Sequence, residues 1–187
     1  MKLFSPLNYL RIKHEEKRRY DFQLPLIVAA IVTLLYHYHS DQISLVSTNG
    51  LLLQVNGLLQ VLIGFYIAAL AAVSTFNSPS IDQVMAGDPP TLVEKFRGQK
   101  LKVVLTRRRF VCYLFGYLAL VSFMLFCIGM ISILIGKSFQ IWVVSFVTSG
   151  VILWLKTIFV GVYSFILMNI IITTLLGLYF LAVRFHQ

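Results

Sequence analysis

The sequence predicts an all-α, polytopic membrane protein with four transmembrane helices and shorter cytoplasmic and interfacial amphipathic helices. Of its 187 residues, 58% are hydrophobic and only 12% are charged, whereas soluble domains carry about 25% charged residues. The apolar residues lie in long runs, and most basic residues lie in two patches outside those runs. This distribution leaves no room for a separate soluble domain.

The basic patches predict how the chain threads the membrane. One lies within residues 1–22 and the other within residues 76–109, whereas residues 38–50 contain neither lysine nor arginine. The members of the two patches are Lys2, Arg11, Lys13, Lys17, Arg18, Arg19, Lys95, Arg97, Lys100, Lys102, Arg107, Arg108 and Arg109. Because basic residues beside a span resist translocation, we expect both termini and the 76–109 loop to lie in the cytoplasm. The predicted organisation is a cytoplasmic basic segment, 1–22, followed by a four-span membrane domain, 22–187.

The first span is predicted from Phe22 to Tyr38, which is short for a membrane crossing of about 20 residues. Pro25 near its start is expected to kink it. The aromatic and histidine residues at 36–39 indicate the outer interface, where such rings are enriched.

The second span, predicted from Leu51 to Phe76, carries a stripe of small and amide residues. Its members recur every four residues: Asn56, Gln60, Gly64, Ala68 and Ala72. Small residues let two helices approach closely in lipid, so the stripe predicts a helix or subunit interface. In the alternative interpretation, Gln54, Asn56 and Gln60 line a water-filled path, since polar groups in a membrane face the bundle interior or water.

The third span is predicted from Phe110 to Ile135. It contains both cysteines, Cys112 and Cys127, whose separation of roughly 22 Å along a helix excludes a disulfide between them.

The last apolar block is interrupted by Lys156. We expect Trp142 to Leu155 to form an interfacial or partly inserted helix, and Thr157 to Val183 to form the fourth span.

The 76–109 loop is the largest predicted soluble segment. Thr91 and Glu94 match a capping box, which predicts an amphipathic helix starting at Leu92. The predicted docking residues for a protein partner are Leu92, Lys95, Phe96, Lys100 and Lys102. A basic helix lying on anionic lipid is the alternative for this loop. The N-terminal segment leaves the same two alternatives open.

The sequence offers no recognisable catalytic chemistry. It contains no glycine-rich phosphate loop and no His-x-x-x-His or Cys-x-x-Cys metal spacing. The acidic residues lie outside the predicted spans, so a proton-coupled transporter is disfavoured. His37 and His39 are interpreted as interfacial. We therefore predict no enzyme activity, no cofactor and no metal. The net charge of +9 is explained by topology and anionic lipid, without direct nucleic-acid binding.

This architecture resembles the membrane subunit of the bacterial Kiwa anti-phage defence system. The resemblance covers the length, the four spans, the two cytoplasmic termini and the loop from Phe76 to Arg109. It implies a homo-oligomeric sensor that holds a soluble DNA-binding effector at its cytoplasmic face, and it assigns no functional residue.

Two hypotheses follow for the function. The first is an inner-membrane scaffold or sensor that homo-oligomerises and recruits a cytoplasmic effector protein. The second is a small pore-forming or channel-forming protein lined by the amides of the second span.

Overall fold

Four long helices dominate the fold, with two short strands between the second and third helices. The computed structural model describes residues 2–12, 19–40, 42–47, 50–75, 81–84, 89–96, 99–144, 149–179 and 181–182. The elements in chain order are a 3₁₀ helix, Lys2–Arg11; a π-helical turn, Arg19–Gln23; α1, Leu24–Tyr38; α2, Leu51–Thr75; β1, Thr91–Phe96; β2, Gln99–Val104; α3, Arg107–Val144; and α4, Ser149–Tyr179.

All four predicted spans are present as helices, which confirms the predicted fold class. Within the described residues, the segments long and apolar enough to cross a membrane are Arg19–Tyr38, Leu51–Thr75, Arg107–Gly136 and Gly150–Tyr179. The π-helical turn joins α1 and lengthens the first candidate span to 20 residues. That length matches the hydrocarbon thickness of a bilayer.

The helices pack in the order α1, α4, α3, α2. Among the described residues, α1 packs against α4, α4 against α3, and α3 against α2, while α1 makes no close backbone contact with α2 or α3. The contact face of α2 carries a heptad of fully or nearly fully buried side chains, Leu52, Leu59, Tyr66 and Val73. A seven-residue repeat keeps one face of a helix turned toward a neighbouring helix.

The predicted interfacial helix from Trp142 to Leu155 is wrong. Instead, α3 continues through residue 142 to Val144, and α4 already begins at Ser149. No proline or glycine follows Gly136 within α3, so nothing in the local sequence breaks the helix. At about 1.5 Å per residue, the 38 residues of α3 span roughly 57 Å. This exceeds the hydrocarbon core of about 30 Å.

The predicted amphipathic helix starting at Leu92 is also wrong, because the segment forms an antiparallel hairpin. Thr91 pairs with Val104 and Phe96 with Gln99, so Thr91 and Glu94 form no capping box. The β-branched valines of both strands favour the extended form. Pro89 and Pro90 precede β1 and restrict the backbone there.

Candidate interaction platform at the basic end

One end of the helix bundle carries a folded unit outside the four long helices. We call this end the basic end: it holds the start of α1, the end of α2, the start of α3 and the end of α4. We call the unit the platform, and define it as the 3₁₀ helix, the segment 81–84 and the β1–β2 hairpin. Its buried apolar residues include Tyr9, Ile81 and Leu92, and the adjoining Ile12 and Leu105 are buried as well. The platform therefore contributes side chains to the hydrophobic core of the protein.

Arg108, in the first turn of α3, ties segment 81–84 to α2. Its Nε donates to Oδ1 of Asp82 at 2.7 Å and its Nη2 donates to Oδ2 at 3.1 Å. Its Nη1 donates to the carbonyl oxygen of Val73 at 3.0 Å, which satisfies a free carbonyl at the end of α2. These hydrogen bonds from Arg108 hold the pKa of Asp82 below its usual range.

Backbone bonds reinforce this junction. The amide of Arg108 donates to Ile81 O and the amide of Arg107 to Gln83 O, each at 3.0 Å. Thr106 Oγ1 accepts from the amide of Arg109 at 3.4 Å, which makes Thr106 the N-cap of α3. Sequence analysis missed this cap, although a threonine directly before a helical run is its ordinary signal.

The 3₁₀ helix packs against the first part of α3. The ring of Tyr9 is buried and stacks on Tyr117, with ring centroids 4.9 Å apart, and it also contacts Phe110 at 6.4 Å. Pro6 lies over Gly116, where an added Cβ would be 3.4 Å from Pro6 Cβ. The hydroxyl of Tyr9 donates to Asp21 Oδ1 at 3.4 Å. Burial and this carboxylate together raise the pKa of Tyr9.

A hydrogen-bonded link joins this region to α4. Tyr117 donates to Asn169 Oδ1 at 2.7 Å, and Asn169 Nδ2 donates to the backbone carbonyl of Asp21 at 2.6 Å. Asp21 thus sits inside the first candidate span, so the expectation that all acidic residues lie outside the spans is wrong. The extra π-helical turn is what moves the start of that span back to Arg19.

The hairpin places the predicted docking residues differently from a helix. Leu92 is only 1% exposed and belongs to the protein's own core. The register pairs Lys95 with Lys100 and Val93 with Lys102, and because directly paired residues share a face, these four positions lie on one face of the hairpin. Val93 and Lys102 are exposed. The side chains of Lys95, Phe96 and Lys100 lie outside the described part of the structure.

Several residues of the predicted basic patches are not described. Residues 13–18, Arg97 and the C-terminal residues 183–187 lie outside the described ranges, so the structure does not place their charges. The described basic side chains Arg11, Arg19 and Lys102 are all exposed at the basic end.

The predicted stripe on α2 divides into one buried residue and four exposed ones. Asn56 is 3% exposed, accepts from the hydroxyl of Tyr163 at 3.4 Å, and fits against Gly129 of α3. The four exposed members are Gln60, Gly64, Ala68 and Ala72. A four-residue step advances about 40° beyond a full helical turn, so the stripe winds away from the bundle core after Asn56.

The three amides of the alternative water-filled path, Gln54, Asn56 and Gln60, also differ in exposure. Gln54 and Gln60 are exposed, whereas Asn56 is buried among helices. The three amides therefore line no common path inside one chain.

The end opposite the basic end is rich in aromatic residues. His37 Nδ1 lies 3.3 Å from Thr157 Oγ1, and the His37 ring lies 5.4 Å from Trp154. Within the described ranges, no three His, Cys, Asp or Glu residues form a group that could hold a metal. Both cysteines, Cys112 and Cys127, lie in α3 and are free.

Three comparisons place no known protein beside this fold. No protein-family model matches the chain, and no curated protein or solved structure matches it either.

Proposed function

We propose that this protein is a scaffold and sensor of the bacterial inner membrane that homo-oligomerises and recruits a soluble effector protein to its platform. The observation that supports this proposal is the platform itself. A connection between two spans requires only a few residues, whereas this one forms a hairpin, a buried core and an arginine-anchored junction with α2 and α3.

The outward face of the hairpin has the chemistry of a protein-docking surface. Val93, Lys102 and Val104 are exposed there, and Lys95 and Lys100 occupy paired positions on the same face. The lysines of this face would attract an acidic surface on a partner and steer the partner toward the hairpin.

The experiment that tests recruitment is co-purification from the native host in mild detergent. We compare the wild type with a variant that combines Val93→Asp and Lys102→Glu. The matched control is Tyr38→Asp, an acidic change at an 80% exposed position on the opposite end. Recruitment predicts a stoichiometric soluble partner with the wild type and the control, and its loss from the platform variant. Identical partner profiles for all three would contradict recruitment through this face and would favour its alternative role on anionic lipid.

The proposed orientation places the basic end in the cytoplasm. Its support is the number of lysines and arginines in residues 1–22 and 76–109 and their absence from 38–50. Compartment-specific reporters fused after residues 45 and 90 test it. A reporter after residue 90 that is active only outside the cytoplasm would overturn the orientation.

The proposed subunit interface is the exposed part of the α2 stripe. An added Cβ at Gly64 would meet nothing within 4 Å in the single chain, which leaves room for a neighbouring helix to approach. The pore hypothesis uses the same face, because Gln54 and Gln60 are exposed and could border water only between copies. Expression alone distinguishes the two: an open pore collapses the membrane potential, whereas a scaffold leaves it intact.

The setting we propose is anti-phage defence, as implied by the resemblance to the Kiwa membrane subunit. Deletion of the gene in its native host, followed by phage challenge, tests this setting independently of the partner experiment.

A further inference from the structure

The N-terminal segment has little local reason to hold its conformation. Its 3₁₀ helix is ten residues long and contains Pro6, although 3₁₀ runs longer than three or four residues are uncommon because their hydrogen bonds are poorly aligned. The turn that follows at Arg19–Gln23 is π-helical, which is rarer still. Both pieces must therefore be stabilised by the tertiary contacts they make.

Those contacts lie on one side of the 3₁₀ helix. Tyr9 and Ile12 are buried, and Pro6 lies over Gly116. Phe4, Leu10 and Arg11 are exposed. The helix thus covers the surface beneath it without being enclosed by the protein.

The covered surface is aromatic and apolar. It includes Phe110 and Tyr117 of α3, which contact the Tyr9 ring, and the 3₁₀ helix also packs against β1, which carries the buried Leu92. Displacement of the 3₁₀ helix would open this surface next to β1.

Three hydrogen bonds among Tyr9, Asp21, Asn169 and Tyr117 connect the N-terminal segment to the long helices. We call these bonds the latch. Asp21 accepts from Tyr9 through its carboxylate and from Asn169 through its backbone carbonyl, and Asn169 in turn accepts from Tyr117. The bonds therefore bridge the 3₁₀ helix, the start of the first span, α3 and α4. A shift of α4 against α3 would break them.

We propose that the 3₁₀ helix is a reversible strap over a second docking surface, formed by α3 from Phe110 to Tyr117 together with β1, and that the Asp21–Asn169 latch controls its release. The occupant that replaces the strap is a segment of the soluble partner bearing an aromatic residue, since the strap itself fills the surface with Tyr9. This inference rests on the proposed recruitment function and adds its regulation.

A disulfide that locks the strap tests the proposal. Pro6→Cys and Gly116→Cys are introduced into a chain with Cys112→Ala and Cys127→Ala. The 3.4 Å between the two Cβ positions is close to the range of about 3.5–4.5 Å found in disulfides. The oxidised protein is expected to lose the co-purifying partner and to regain it on reduction. Equal partner recovery from oxidised and reduced protein would overturn the strap.

A second measurement requires no partner. With Gly116→Cys alone in the same cysteine-free background, maleimide labelling reports how often the strap lifts. Asn169→Leu removes two hydrogen bonds of the latch, so labelling is expected to rise roughly 30-fold, which corresponds to about 2 kcal/mol. The matched control is Tyr163→Phe, which removes another hydrogen bond of α4 at a distance from the strap and should leave labelling unchanged.

The two measurements separate the two proposals. If the wild type itself co-purifies with no partner, the recruitment function fails, and the labelling result still decides whether the strap moves. If Asn169→Leu and Tyr163→Phe label at the wild-type rate, the latch does not control the strap and this inference is wrong.

Discussion

The guanidinium of Arg108 holds both carboxylate oxygens of Asp82, at 2.7 Å and 3.1 Å, while its third nitrogen binds the carbonyl oxygen of Val73. One side chain thereby joins the platform, the end of α2 and the start of α3. Only a planar guanidinium presents donors in several fixed directions. The charge of Arg108 accordingly contributes to the fold and not only to the topology of the chain.

The first prediction is that Arg108→Lys lowers the melting temperature by a few degrees although the charge is kept. A single ammonium group cannot reproduce the paired contact with Asp82 and also reach Val73 O. Thermal unfolding in detergent measures the change. Arg107→Lys, which keeps the charge at the preceding position of the same helix turn, is the matched control, and an equal loss from both variants would contradict a special role for Arg108.

The second prediction concerns acid pH and the Asp82 carboxylate. Because Arg108 lowers the pKa of Asp82 in the folded protein, its stabilising contribution is present above the unfolded pKa of about 4 and is lost as pH falls through the lower folded value. Asp82→Asn should therefore be less stable than the wild type at pH 6, and the difference should shrink as the pH falls below about 4. A difference in melting temperature that stays constant down to pH 3 would show that Asp82 acts through packing alone.

The third prediction is that Gly129→Ala destabilises the helix bundle by about 1–3 kcal/mol. An added Cβ would collide with the side-chain amide of Asn56, which is buried and bonded to Tyr163. Gly57→Ala is the control, because its Cβ would meet nothing within 4 Å and alanine is the better helix former.

The collision itself can be tested by a compensating change. Asn56→Ala removes the clashing amide. Gly129→Ala should therefore cost less stability in the Asn56→Ala background than it costs in the wild type. Purely additive losses in the double variant would place the strain elsewhere.

The fourth prediction is that Gly64→Leu or Ala68→Leu weakens self-association. Both positions are exposed in the single chain, and a bulkier side chain there would separate helix axes that approach closely in lipid. Cross-linking in native membranes measures the oligomer. The control is Leu58→Phe, an exposed position about 120° around the same helix from Gly64. If all three variants assemble equally well, the stripe is not a subunit interface.

The spans could be predicted from the sequence because membrane solvation acts on every residue of an apolar run. The hairpin could not, since Thr91 and Glu94 form a plausible cap locally, and only pairing with residues 99–104 favours strands. The contact of Tyr117 with Asn169 joins residues 52 positions apart, so no spacing rule indicates it. Asn56 illustrates a third case, because its place in a repeat predicted a helix or subunit interface without deciding between them, whereas its neighbours Gly129 and Tyr163 enclose it within one chain.

The packing order of the helices also determines when the fold can be completed during synthesis. In the part of the chain that the structure describes, α4 is the long helix that packs on α1, while α2 and α3 pack on each other. The ribosome produces α1 first and α4 last, at about 5–20 residues per second, so α1 waits roughly 7–28 seconds until α4 is complete. Throughout that interval α1 is retained by lipid or by the insertion machinery alone. A chain that ends prematurely before α4 therefore leaves its first helix without a packing neighbour, in a form that membrane quality-control proteases can recognise.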